Sequence, residues 1–440
     1  VQGARWEYLD LAMERYALSP MRELWTLETQ YNRWLEVELA ALRALESVEV
    51  VPQGTAEAVR TKASVDVDRL LAMEKEVGHD LVAFLWVVEE QVGPEARWVH
   101  YGLTSSDVKD TALALVLRDA VGILQEKANA LQEELRSFAR RYRRTPIVGR
   151  THGQWAEPTT LGLKALSWLD MLTRAGERLA GARETVAVGK LAGAVGTYAY
   201  FPPEAEERAL AELGLKACVP AGQVVPRDRH AEGVFAAAAA GTVVETIAFE
   251  IRHLSRTELG EVSEFRPEGS SAMPHKQNPI LSERLCGLAR LLRSCIVPAL
   301  ENIALWNERD MSHSSVERMM LPQTFTVADF MLTRGRGLIS GLQVHEEEMR
   351  KRITAAQGLP FSEGLLLALV RAGMSRRAAH TRVRRLAMRA VAQGRDLSEL
   401  AAEDPEVSSK LSAEERARIF RLSELLGKLD TNFKRTGLVE

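Results

Sequence analysis

From Gly269 to Pro279 the chain reads Gly-Ser-Ser-Ala-Met-Pro-His-Lys-Gln-Asn-Pro. Two hydroxyls (Ser270, Ser271), an imidazole (His275), an ammonium (Lys276) and an amide (Asn278) fall within this one stretch. Gly269, Pro274 and the closing Asn-Pro disfavour helix, so the stretch is a loop between strongly helical sequences. A polar loop of this kind suits either a solvated helix connection or a mobile catalytic lid.

Four further polar segments accompany it. Gly149-Arg150-Thr151-His152-Gly153-Gln154 places an imidazole just before a helix expected from about Pro158, and Gly78-His79-Asp80 sets another beside a carboxylate. A lone histidine is more often structural than catalytic, so neither assigns itself. Thr104-Ser105-Ser106-Asp107 caps a helix; with free N–H groups at that positive end it also offers an anion site suited to a carboxylate. The run Glu308–Arg318 contains Arg309, Ser314 and Arg318, and its arginines could clamp carboxylate or phosphate. Together these supply an acid/base pair, several anion-binding groups and no electron carrier. Such a set fits proton removal next to a carboxylate, stabilisation of the charge that develops there, and protonation of a departing nitrogen. β-Elimination of fumarate from a succinyl-substituted amine is a reaction of that kind.

Composition bounds the alternatives. The 440 residues are 46% hydrophobic and 27% charged, with a formal net charge of -3, so large cores are possible and a bulk nucleic-acid or membrane-surface role is disfavoured. Three cysteines, Cys218, Cys286 and Cys295, show no CxxC spacing, which points to a reducing, cytoplasmic setting rather than a disulfide framework or zinc site. The nine histidines form no HxxxH pattern, and Gly189, Gly193 and Gly196 lack the Lys-Ser/Thr of a phosphate loop, so no metal and no cofactor is expected. No stretch is expected to reach the ~20 apolar residues of a membrane span. The longest candidate, Val234–Val244, is interrupted by Gly241 and Thr242 and ended by Glu245. Residues 1–12 carry Arg5, Glu7 and Asp10, unlike a signal peptide, and read as an extension.

The elements that must position these groups are helices, because period-3.6 patterning dominates and alternating strand patterns are scarce. Leu24, Leu27, Tyr31, Trp34, Leu35 and Leu39 mark one face of an early helix. Long helices are expected over Val108–Tyr142, Pro158–Val186, His230–Thr257, Leu281–Trp306 and Ser314–Leu342. The His230–Thr257 segment is apolar nearly all round, so it should lie buried in the middle of a bundle extended by neighbouring subunits. The expected architecture is all-α, in three helical domains. These are 1–103, with 1–12 as the extension; a central long-helix bundle over 104–352 carrying a lid loop around 260–280; and 353–440. The basic cluster Arg376–Arg389 is balanced by nearby Glu and Asp residues and reads as a solvated helix face rather than an RNA surface.

The lid string Gly-Ser-Ser-x-Met-Pro-x-Lys-x-Asn-Pro resembles the common loop of the fumarase/aspartase superfamily. The other segments follow in that superfamily's order from about Met13 to the C-terminus. Glu14-Arg15-Tyr16, His100–Asp107, Arg150-Thr151-His152-Gly153 and Ser312-His313-Ser314-Ser315-Val316-Glu317-Arg318 resemble its adenylosuccinate lyase family. The resemblance implies that Ser270 is the general base, a role that sequence chemistry alone would not assign to an unactivated hydroxyl. Lys276 and a water-excluding loop closure would activate it. It implies His152 as general acid, oriented by Glu283, and His79 with Asp80 binding substrate on the phosphate side. Thr104, Ser105, Lys276 and Asn278 would hold the succinyl carboxylates. Arg15, Tyr16, Arg309, Ser314 and Arg318 would engage the nucleotide, and Gln223 the middle of the substrate. The family's partners are small-molecule nucleotide substrates and its own copies, in a homotetramer whose active sites draw on three subunits. Two departures stand out: Gln277 where Arg or Lys is frequent, and Gly78 where a polar residue is common. Competing readings are another lyase of the superfamily, such as a 3-carboxy-cis,cis-muconate cycloisomerase, and a non-catalytic structural bundle.

Overall fold

The computed structural model describes residues 14–439 apart from 266, 267, 270–272 and 274, with the backbone alone at 268 and 269. The chain is all-α. Its main helices are Leu27–Ser47 (α1), Asp80–Val92 (α2), Ser105–Arg141 (α3), Leu161–Val186 (α4), Asp228–Leu254 (α5), Ile280–Ser294 (α6) and Ser312–Ser340 (α7). The described β-structure is limited to four two-stranded sheets, of which the longest pairs Pro146–Thr151 (β1) with Gln154–Thr160 (β2).

The expected helices are met to within about three residues at most ends, and two of the differences have a clear local cause. The helix expected from Pro158 begins at Leu161, because residues up to Thr160 pair with β1. The Thr160 hydroxyl then accepts the Leu163 N–H and caps the new helix. The single helix expected over Leu281–Trp306 is broken into Ile280–Ser294 and Ile296–Glu301. Pro298 has no N–H for the Ser294 carbonyl, so the ladder cannot run through.

α5 corrects a further expectation: by length and composition it is long and apolar enough to cross a membrane. Gly241 and Thr242 interrupt the pattern without adding charge, and no charged residue falls between Glu232 and Glu245. Just over half of its apolar stretch is buried within the chain. Ala237, Ala240, Val244, Ile247 and Ile251 are fully covered, whereas Phe235 and Phe249 are 49% and 52% exposed. Burial on all sides is therefore not reached inside one chain.

The chain gathers into two compact units, each assembled from three segments. The first comprises Val1–Ala130, Leu172–Glu245 and Leu285–Arg334. Its apolar core joins α1 to α2 through Tyr31, Trp34 and Phe84; Trp34 meets Tyr31 and Phe84 edge to face, with centroids 5.1 and 5.7 Å away. The second comprises Leu131–Met171, Thr246–Arg284 and Gly335–Glu440. It holds the β1–β2 hairpin, packed on the helix Glu346–Ala355, and a separate apolar core running from Leu365 to Leu411.

Candidate functional site

In the first unit a hollow of about 330 Å³ opens between α1, α2, α3 and the start of α7. Asp80, Ser106, Arg309, Ser314 and Arg318 line it, so residues from three of the polar segments meet around one space. Asp80 stands at the start of α2, where its carboxylate accepts from the Leu81 N–H at 2.8 Å and from Lys109 Nζ at 2.5 Å. Arg318 Nη2 approaches the other oxygen at 3.8 Å. Burial pushes the Asp80 carboxyl up, but the Lys109 ammonium more than offsets it, and the group sits below the ordinary carboxylate range. Asp80 is therefore an ionised anchor for cations. His79 stands at the start of α2 with an exposed ring, its Nδ1 3.4 Å from both the Val82 N–H and Asp80 Oδ1.

Sequence reasoning missed much of this wall. Lys109, Asp110, Arg227, His313 and Glu317 also line the hollow, with Trp25 and Trp34 on its apolar side. Arg227 is almost fully buried, donates to both Asp110 oxygens at 2.5 and 2.9 Å, and reaches Glu317 at 3.2 Å. A dense polar run, Arg227-Asp228-Arg229-His230, at the start of the long apolar helix α5 was the available signal.

The Thr104–Asp107 segment starts α3 as expected, with the Thr104 N–H donating to the Asp107 carboxylate at 2.8 Å. Asp107 also accepts from Ala192 and Gly193 N–H groups at 3.1 Å each and pairs with the fully buried Lys190. One N–H of the anticipated anion site is thus already committed inside the fold; the half-buried side chains of Thr104 and Ser105 remain at its mouth.

In the second unit a hollow of about 650 Å³ is lined by Lys276, Asn278 and Glu283. Arg252, His253, Arg256 and His275, none of them anticipated there, add to its polar wall. The loop that carries Lys276 is fastened at its base. Glu268 and Gly269 pair antiparallel with Asn278 and Gln277. The buried Glu264 carboxylate accepts from the Leu281 and Ser282 N–H groups at 3.1 and 2.8 Å and from the Ser282 hydroxyl at 2.6 Å. That carboxylate caps α6, where the positive helix end favours it. Ser270 lies outside the described residues.

His152 is presented by the hairpin. His152 and Gly153 form its two-residue turn with φ of 55° and 73°, the positive pair of a type I′ connection. The ring is exposed at this tip, and no hydrogen bond joins it to Glu283 within the chain among the described residues. Below it, Arg150 donates two hydrogen bonds of 2.9 Å each to the buried Glu261 carboxylate, tying the hairpin to the segment that leads into the loop. Of the remaining candidates, Arg15 is exposed, the Tyr16 ring meets Phe330 edge-on at 5.1 Å, and Gln223 is half-buried in a connector. All three cysteines are free and buried, and no group of three metal-ligating side chains occurs among the described residues.

Comparison with known proteins places this geometry. A family described as "Lyase" matches residues 14–292, and one described as "Adenylosuccinate lyase C-terminus" matches 358–436. The chain is 46% identical to an adenylosuccinate lyase of Thermotoga maritima, over 96% of this chain and 99% of that protein. It is 41% identical to that of Bacillus subtilis, over 97% and 100%. Among solved structures it resembles a fumarate lyase of Mesorhizobium, with a TM-score of 0.88 and 27% identity over 96% and 97% of the two chains. A 3-carboxy-cis,cis-muconate lactonizing enzyme of Pseudomonas putida has a TM-score of 0.88 and 28% identity over 97% and 98%. The backbone is thus shared across several lyases, while the higher identity over whole chains selects one branch: the chain belongs to the adenylosuccinate lyase family.

Proposed function

We propose that the chain releases fumarate from adenylosuccinate to give AMP, and from SAICAR to give AICAR, as a carbon–nitrogen lyase of purine nucleotide biosynthesis. The observation that carries this reading is the 46% identity to an adenylosuccinate lyase across nearly the whole of both chains. In the proposed mechanism Ser270 removes a proton from the succinyl carbon next to a carboxylate. The electron pair moves through a carbanion-like transition state to form the new C=C bond as the C–N bond breaks, and His152 protonates the departing nitrogen. Lys276, Asn278, Thr104 and Ser105 stabilise the charge on the succinyl carboxylates. His79, Asp80, Arg309, Ser314 and Arg318, with Arg15, Tyr16 and Gln223, hold the nucleotide, and Glu283 orients the His152 ring.

We infer further that the site is completed in a homotetramer. The exposed His152 tip and the open Phe235–Phe249 face of α5 support this, since both await a neighbour. A cytoplasmic location fits the three free thiols. Along the sequence we keep the three-part organisation 1–103, 104–352 and 353–440, supported by the separate apolar core of the last part.

Incubation with adenylosuccinate, following AMP and fumarate, tests the reading, with 3-carboxy-cis,cis-muconate as the competing substrate. Turnover of the nucleotide is expected. Turnover of the muconate alone would transfer the chain to the other branch.

A further inference from the structure

Arg309, a proposed anion clamp, lines the first hollow, and two separate devices hold it. Its backbone is fixed by Asp310, whose carboxylate accepts from the Trp306 N–H at 2.8 Å and the Ser312 N–H at 2.7 Å. Its side chain is fixed by His313: Arg309 Nε donates to His313 Nε2 at 3.4 Å. An arginine can only donate, so His313 Nε2 must carry the lone pair. The ring's one proton then sits on Nδ1, 3.2 Å from Glu317 Oε2, one turn along α7. Arg227 Nη2 also lies 3.3 Å from that Nδ1, but with the proton there the contact joins two donors. Arg227 Nη2 is instead served by Asp110 Oδ1 at 2.9 Å and Glu317 Oε2 at 3.3 Å. The assignment follows from the partners each atom has.

Glu317 is the keystone of the arrangement. It accepts from His313 and Arg227 and from His230 Nδ1 at 2.9 Å, all within the first unit. Burial would push its carboxyl up, yet His230, His313 and Arg227 hold it far below the ordinary range, so it stays an acceptor. His313 and Glu317 are 3% and 7% exposed.

We infer that His313 is a positioning residue for substrate binding: as the neutral, Nδ1-protonated tautomer oriented by Glu317, it aims the Arg309 guanidinium at the anionic group of the nucleotide. At 3% exposure it acts through Arg309. A proton added to Nε2 would replace the acceptor by a second positive donor facing Arg309, and the guanidinium would swing away. The inference rests on the proposed function, because it takes Arg309 to be a nucleotide clamp.

The test compares Arg309→Ala, His313→Phe and His313→Gln in the assembled enzyme with adenylosuccinate. His313→Phe keeps the ring's bulk without an acceptor and should raise KM roughly tenfold, the size of a charged hydrogen bond lost in binding, with kcat changed much less. His313→Gln offers an amide oxygen to Arg309 and an N–H to Glu317, and should recover most of the loss. A KM that rises in Arg309→Ala but not in His313→Phe would overturn the inference and leave the functional reading standing. A KM unmoved in Arg309→Ala would overturn the role of Arg309, and the inference with it. Should His313→Phe fold poorly, ¹⁵N spectra of ring-labelled wild-type protein, with the His313 signals assigned through His313→Gln, decide the tautomer. A protonated Nδ1 and bare Nε2 near pH 7.5 are expected; a protonated Nε2 would overturn the inference.

Discussion

Replacing Glu261 by Gln probes how the proposed acid is held. The Glu261 side chain is fully buried, and both its oxygens accept from Arg150 at 2.9 Å. Arg150 stands two residues before His152 on β1, and its side chain retains only 15% exposure. Removing one partner of a buried pair costs about 3–5 kcal/mol, because the other charge is left uncompensated. Here the cost should fall to about 2–3 kcal/mol, since glutamine keeps one acceptor oxygen and Arg150 Nη1 also reaches the Val148 carbonyl at 3.3 Å. Denaturant unfolding at fixed protein concentration measures it. A double-mutant cycle with Arg150→Met isolates the pair: the double variant should be clearly less destabilised than the two single effects added together. In activity, Glu261→Gln should lower kcat more than it raises KM, because the loosened hairpin displaces an acid and not a binding group. Unfolding within about 0.5 kcal/mol of wild type, with no coupling in the cycle, would refute the view that this pair holds the hairpin.

Two other perturbations follow from the same physics. Asp329 is fully buried in α7, neither of its oxygens has a hydrogen-bond partner, and burial pushes its carboxyl up to about 6. The folded form therefore holds its proton more tightly than the unfolded form, and stability is lost as pH rises from about 4 to about 6. At about 1.4 kcal/mol per pH unit the loss is up to about 3 kcal/mol, of which about 1 kcal/mol has accrued by pH 4.5, so Asp329→Asn should raise the melting temperature clearly more at pH 8 than at pH 4.5. An equal shift at both pH values would contradict this. Gly149 sits at the irregularity in β1, where an added Cβ would meet the Glu157 carbonyl oxygen at 2.2 Å. Gly149→Ala should destabilise by about 2 kcal/mol or more and reduce turnover, read by thermal unfolding and initial rates; wild-type values in both would show that the hairpin tolerates the shift.

The helices were legible because their signals are local. The Thr104–Asp107 cap, the apolar faces of α1 and α3 and the Gly/Pro-bounded loop each lie within a few neighbouring residues. The hairpin was missed for a matching reason. His-Gly is not the Asn-Gly or Asp-Gly pair that usually marks a type I′ turn, and Pro158 resembled a helix start. The buried charge network was illegible because its members come from distant parts of the chain. Lys190 meets Asp107, and Arg227 meets Asp110 and Glu317, only after folding. Gly241 and Thr242 misled in the opposite direction: they interrupt the hydrophobic pattern of α5 but carry no charge, so the helix stays apolar enough to span a membrane.

The central claim is that a hydroxyl at Ser270 and the imidazole at His152 act on one substrate from different copies of the chain. Each single variant, Ser270→Ala and His152→Ala, should be nearly inactive while remaining tetrameric. The direct test is to mix the two inactive proteins, allow subunits to exchange, and assay adenylosuccinate turnover. Recovery of up to roughly a quarter of wild-type activity is the expected result, from sites that draw both intact groups from opposite variants. No recovery, with subunit exchange verified, would contradict the shared site.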